Sequence, residues 1–391
     1  MMRKIHPDVI RLGVVSFLTD VSSEAIFSVF SIFFTTIIGA SAALLGVVEG
    51  LADFSASSLD YVSGYLSDKT GRRKPIAVAG YGFSTLAKCF LVFANSLSLV
   101  ALFRVIERLG KSMRGPARDA WIADVTTDGN RGYSFGAHKA MDKAGAVLGP
   151  LLAYLLFAAY GETADAFRIL FICAALVAGV AVLTLLAVRE RPGTPHERDN
   201  IFKSWRLLSP EFRRYLIPAS LFALAYFSFG FLLLKAYQTG FSVADVILLY
   251  ALFNVSFVVF SIPFGSLGDA YGRWKIISAG YLLYAVMSVG FVYATEPWQI
   301  IGLFIIFGAF YAIDEAQTKA FIADIERERR ASAVGLYNFV TGIVYVPASV
   351  IAGVLWAWQS TYAFVFAAGV ALLALCVFLA LRRKIVVPAL A

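Results

Sequence analysis

Polar surface is what this chain of 391 residues lacks: only 15% of them are charged, against about 25% in a typical soluble domain. Cysteine is scarce as well. Cys89, Cys173 and Cys376 are the only three, with no CxxC and no Cys/His spacing, so neither a disulfide framework nor a structural metal is expected. Each lies in an apolar stretch, where a thiol is expected to act as a small buried hydrophobe. Catalytic signatures are missing too, since no HExxH, GxSxG, Walker loop or paired histidine occurs. No cofactor and no enzyme activity are expected. Long polar stretches are confined to residues 189–214, which hold Pro192, Pro195, Pro210 and seven Lys/Arg.

What fills the rest is apolar. Hydrophobic residues make up 59% and the mean hydropathy is +0.75, more than one soluble core could hide. Turns and charges cut the chain into twelve runs near the ~20 residues a membrane-spanning helix needs. They cover 10–37, 43–66, 76–95, 98–122, 134–158, 165–188, 211–238, 242–266, 276–295, 298–322, 331–356 and 361–382. The expected fold is an all-α polytopic membrane protein of two pseudo-symmetric six-helix bundles. Its parts are residues 1–188, a cytoplasmic linker at 189–210 with a short surface helix around 202–208, and residues 211–391.

The net charge of +8 sits in short loops rather than on one polar face, which argues for anionic lipid and against nucleic acid as partner. Arg3, Lys4, Lys69, Arg72, Arg73, Lys74, Arg131, Arg273, Lys275, Arg327, Arg329 and Arg330 all fall on one side, so both termini are expected in the cytoplasm of a prokaryote, with the chain in its inner membrane. All six tryptophans fall near run ends: Trp298, Trp356 and Trp358 outside, Trp121, Trp205 and Trp274 inside. Two interfacial belts are expected.

One loop sentence is written twice. Gly64-Tyr-Leu-Ser-Asp68-Lys-Thr-Gly71-Arg72-Arg73-Lys74 returns as Gly265-Ser-Leu-Gly-Asp269-Ala-Tyr-Gly272-Arg273-Trp-Lys275. Ala120-Trp-Ile-Ala-Asp124 likewise returns as Ala320-Phe-Ile-Ala-Asp324. Asp68 can accept hydrogen bonds from a helix N-terminus or pair with an arginine such as Arg118. The glycines permit a tight turn, and Arg72 and Arg73 are expected to meet lipid phosphates.

With Arg104-Val-Ile-Glu107 in the fourth run and Gly145-Ala-Val-Leu-Gly149-Pro150 in the fifth, these motifs resemble the major facilitator superfamily of secondary transporters, in a prokaryotic branch. The resemblance spans essentially the whole chain. It implies alternating access by a monomer, and a conformational latch built from Gly64, Asp68, Gly71, Arg72 and Arg118, mirrored by Gly265, Asp269 and Arg273. A parallel six-helix repeat implies a substrate site between the halves near mid-membrane.

Ionisable groups at membrane depth are costly, so each is a site candidate. In the fourth run Arg104, Glu107, Arg108, Lys111, Arg114 and Arg118 share one helical face. Asp20 and Glu24 with Ser16, Glu49 with Asp53, and His138 with Asp142 share faces of the first, second and fifth runs. The second half offers Lys235 and Asp314, with Tyr226, Phe229, Tyr250, Asn254, Tyr311, Tyr337 and Asn338 as an aromatic and polar wall. The expected function is ion-gradient transport, proton-coupled, of a small molecule. The basic face favours an anionic substrate such as a polycarboxylate or siderophore; the acids suit a cationic or amphipathic drug instead, and a non-transporting receptor is the alternative class.

Overall fold

The computed structural model describes residues 5–126, 130–190, 205, 207–326 and 329–385. Arg3, Lys4, Arg327 and most of the linker, including much of the surface helix expected at 202–208, lie outside the described residues, as do the side chains of Asp68, Arg131 and Arg330.

The described chain is helical, with no strand among the described residues. α1 (Pro7–Ile32) runs on through a π-turn at Phe33–Ile37, followed by α2 (Ala42–Thr70), α3 (Lys74–Val92), α4 (Leu97–Asp124), α5 (Arg131–Tyr160) and α6 (Ala164–Leu186). Beyond the linker come α7 (Pro210–Ala225), α8 (Gly230–Gln238), α9 (Val243–Tyr271), α10 (Arg273–Tyr293), α11 (Pro297–Ile325), α12 (Arg330–Trp358) and α13 (Ser360–Ile385). Eleven spans are long and apolar enough to cross a membrane, α7 and α8 forming one of them. α4 is the twelfth. Its 28 residues reach about 42 Å at ~1.5 Å per residue, but its charges hold it below that apolar standard.

Local chemistry sets the helix ends. Proline opens α1, α3, α7 and α11, where its missing N–H costs nothing. Ser209 caps α7 by accepting from Phe212 N at 3.2 Å, and Glu296 with Gln299 forms a capping box on α11. Gly71 at φ 64° and Gly272 at φ 95° make the repeated turns, a backbone region that side chains avoid. The seventh run is not one helix. Tyr226 adopts φ −89°, ψ 106°, and the chain bends through residues 226–229 before α8 begins.

Two compact units emerge. The first comprises Met1–Ala40, Leu51–Arg198 and Ser242–Leu248; the second comprises Ser41–Gly50, Asp199–Phe241 and Leu249–Ala391. The first has an apolar core of Val9, Leu12, Val15, Ala77, Tyr81, Trp121, Ile122 and Leu185. Within it α1 lies so near α5 that a Cβ on Gly145 or Gly149 would collide with the carbonyl oxygens of Phe17 and Val21. The second unit is knit by rings, among them Phe222 stacked on Tyr281 at 4.0 Å and Phe229 against Phe253 at 4.7 Å.

Three sequence expectations need correction. Trp121 is fully buried in the first unit's core and Trp356 is buried against Phe231 and Phe364, so neither joins a belt. Their indoles fill space between helices, while Trp298, Trp358 and Trp205 are exposed. The cysteines are all exposed rather than buried, on outward helix faces where a small soft thiol suits lipid. Arg73 does not reach outward to phosphates either: it is 3% exposed and turned inward onto Asp124 and Ser67. Arg72 remains exposed.

Candidate functional site in the first unit

α4 is the hub of the first unit's interior. Its basic residues recur every three or four positions, so successive side chains meet different partner helices from one face. Arg108 pairs with Asp53 of α2 at 3.1 Å. Lys111 meets Glu24 of α1 at 3.4 Å, and one turn on Arg114 stands 4.0 Å from Asp20. Arg118 lies 3.7 Å from Asp142 of α5. Arg104 is held within α4 by Glu107 at 3.5 Å and lies over the rings of Phe27 and Phe30, 4.7 and 5.2 Å away. Every expected base of α4 thus faces a carboxylate.

Hydroxyls stitch these pairs together. Ser16 accepts from Arg118 at 3.1 Å and also meets His138 Nε2 at 3.0 Å and the Tyr81 hydroxyl at 3.1 Å. His138 and Asp142 do converge, but through Ser16 and Arg118. Arg118 is also bonded to Asp119 at 2.9 Å. Its guanidinium thus meets Ser16, Asp119 and Asp142 inside the unit, while the side chain of Asp68 lies outside the described residues.

One member was missed by sequence reasoning. Lys88 of α3 is wholly buried, donates to Ser23 at 2.9 Å, and reaches Glu107 through the Ser23 hydroxyl, which donates at 3.3 Å. Its signal was present: a lone lysine in the third apolar run meets the same membrane-depth criterion that singled out Asp20 and Glu24.

The repeated loops contain a repeated tether. Arg73 Nε donates to Asp124 at 3.1 Å and Arg273 Nε to Asp324 at 2.7 Å. Both partners stand 51 residues apart, so each unit ties its loop to the C-terminal end of its own α4 or α11. Asp269 also pairs with Arg273, at 2.7 Å, and is mostly exposed. Gly64 is buried in α2, whereas a Cβ on Gly265 would meet open space, so the two copies are not packed alike. Lys74 donates to the carbonyls of Leu186 and Val188 at 2.8 and 2.6 Å, closing the end of α6.

In the second unit, Glu49 is 1% exposed and accepts from Ser228 at 2.8 Å, at the bend between α7 and α8. Lys235 is half-buried on α8 and makes no salt bridge among the described residues. Asp314 accepts from Thr318 at 3.2 Å. Of the expected wall, Phe229 and Tyr250 are 5.3 Å apart, and Asn254 donates to the Tyr250 carbonyl, so part of that set is packing. Tyr226 lies beside Phe310 and Tyr345.

This architecture matches known proteins along its length. The sequence profile described as Major Facilitator Superfamily matches residues 12–237 and 216–389. An MFS-type transporter of Methanocaldococcus jannaschii is 33% identical over 378 residues, 95% of this chain and 94% of that protein. Multidrug resistance protein 1 of Bacillus subtilis is 24% identical, covering 78% of this chain and 79% of its own length. Among solved structures, the D323A mutant of nucleoside transporter NupG superposes with a TM-score of 0.80 at 13% identity, covering 95% of this chain and 99% of that one. A duplicated loop, twelve helical spans among the described residues in two units, a profile match through both halves and a near-full-length relative lead to one conclusion: this chain belongs to the Major Facilitator Superfamily.

Proposed function

We propose that the protein is a monomeric secondary active transporter of the prokaryotic inner membrane, not an enzyme. It moves a small molecule by alternating access, driven by a proton gradient, with both termini in the cytoplasm. One observation carries this reading: five acid–base pairs at membrane depth converge on α4 from α1, α2, α5 and α4 itself. Such pairs are poor stabilisers, since apolar contacts of similar volume usually serve as well. Their use lies in exchange: a proton that neutralises Asp20 or Glu24 frees Arg114 or Lys111 for another partner, and that rearrangement couples the ion to the cycle.

The pairing also bears on the substrate. An anionic substrate, favoured by the basic face alone, would have to displace five carboxylates already in place. A cationic one would likewise have to displace the paired bases, so the pairing favours neither sign, and it is the multidrug relative's name that favours a cationic or amphipathic substrate.

The test uses proteoliposomes with an imposed pH gradient, loaded with mixed organic anions, metallophores and organic cations, and read by mass spectrometry. Gradient-dependent flux of one class is expected, lost on adding a protonophore and in Asp20→Asn or Glu24→Gln. Flux that ignores the protonophore would refute proton coupling.

A further inference from the structure

The two copies of the repeated loop use their last lysine differently. In the first unit Lys74 closes α6 by donating to the carbonyls of Leu186 and Val188. Its counterpart Lys275 does not close α13: it is exposed and makes no hydrogen bond or salt bridge among the described residues. Arg214 of α7 reaches the end of α13 instead, donating to the Lys384 carbonyl at 3.1 Å.

Lys275 is joined by cations that α13 brings. After residues 361–381, which hold no charge, Arg382, Arg383 and Lys384 follow in the helix's last turn, all exposed. Arg382 lays its guanidinium over the Trp274 ring, 3.7 Å from the centroid, and Lys275 Nζ lies 5.6 Å from the same centroid. One indole thus gathers cations from α10 and α13. The acids at this end of the unit are already engaged. Asp269 and Asp324 each hold Arg273 at 2.7 Å, Glu211 stands 3.9 Å from Arg214, and Glu326 accepts from Ser209 N. Lys275, Arg382, Arg383 and Lys384 have no carboxylate within salt-bridge distance among the described residues.

Apolar strips run from these cations into the span. Leu282 and Val286 lie seven and eleven positions beyond Lys275, and Leu379 and Leu372 four and eleven positions before Arg383, so each pair shares the helix face that its cation heads. All four are exposed. A guanidinium stacked on an indole keeps its N–H edge free to fork onto two phosphate oxygens, and tryptophan prefers the level where headgroup meets hydrocarbon. We infer that Trp274, Lys275, Arg382 and Arg383 form a binding site for the headgroup phosphate of an anionic phospholipid, whose acyl chains lie along the strips on α10 and α13. Free phosphate has no chains and would leave the apolar part of this surface unused. The lipid joins α10 to α13 by charge, as Lys74 joins α3 to α6 by hydrogen bonds.

The experiment is native mass spectrometry of the purified full chain, equilibrated in detergent with equal amounts of phosphatidylglycerol and phosphatidylcholine of the same acyl chains. Retained lipid should be predominantly phosphatidylglycerol. Lys275→Gln and Arg382→Gln should each lower that preference about fivefold, the ratio that one cation near anionic lipid supplies, and the double change should lower it further. Trp274→Leu should lower it with every charge in place, and Arg168→Gln, at an exposed arginine of α6, should leave it unchanged. Thermal unfolding of each variant checks that it is folded. No preference in the wild type, a preference that the double variant and Trp274→Leu retain, or an equal loss in Arg168→Gln overturns the site. Displacement of the lipid by equimolar inorganic phosphate would show a site for the free anion and overturn the lipid assignment.

Discussion

Glu107 stands between two buried cations, and removing its charge gives a measurable test of the α4 network. It is 5% exposed, Arg104 is 4% exposed and Lys88 is fully enclosed. At 3.5 Å the Arg104–Glu107 attraction is about 5 kcal/mol for an effective dielectric near 20. Glu107→Gln keeps the shape and deletes the charge that Arg104 meets at 3.5 Å and that Lys88 reaches through Ser23. Breaking one side of a buried pair costs ~3–5 kcal/mol, or roughly 6–20 °C in thermal midpoint for a unit of this size. Lys88→Met removes one of the two cations that Glu107 serves, so the double variant should be more stable than Glu107→Gln alone, with a coupling of roughly 1–3 kcal/mol. The assay is a double-mutant cycle of thermal unfolding in detergent, followed by intrinsic tryptophan fluorescence. A Glu107→Gln shift under ~2 °C, or additive effects of the two changes, would refute the charge-balance argument.

Other predictions follow from the same geometry. Asp124→Asn should destabilise more than Asp324→Asn, because Arg73 is almost completely buried while Arg273 is a quarter exposed; thermal midpoints that reverse this order would count against the tether. Gly149→Leu should sharply reduce folded yield on size-exclusion chromatography, since its Cβ has no room against Val21; a normal monodisperse peak would contradict the close approach of α1 and α5. Arg108→Lys should leave transport largely intact if Arg108 only balances Asp53, and an Arg108→Asp/Asp53→Arg exchange should restore flux lost in the single changes. Failure of the exchange would indicate direct contact of Arg108 with substrate.

Membrane depth made most of this molecule legible in its sequence. Apolar runs must be helices because lipid offers no partner for a free N–H, so the twelve spans could be read from composition, and the charged face of α4 followed from its spacing. Which acid meets which base could not be read, because helical periodicity fixes a face and leaves the neighbouring helix undetermined. Trp121 misled for a related reason. Its place at a run end suits an interface, yet tertiary packing draws it into the core beside Tyr81 and Leu185. The bend at 226–229 carries only Gly230 just after it as punctuation, and an isolated glycine inside an apolar run is too common in membrane helices to announce a break.

The twin tethers, Arg73 to Asp124 and Arg273 to Asp324, have an evolutionary consequence. A chain that arose by doubling kept the same clasp in both copies, while the interiors went separate ways, one becoming salt-bridged and the other aromatic. The clasp belongs to the chassis and the interior to the cargo. Interiors of this kind can therefore be rewritten one half at a time, and a chimera that exchanges only membrane-depth residues, leaving both clasps in place, is the natural starting point for changing what the protein carries.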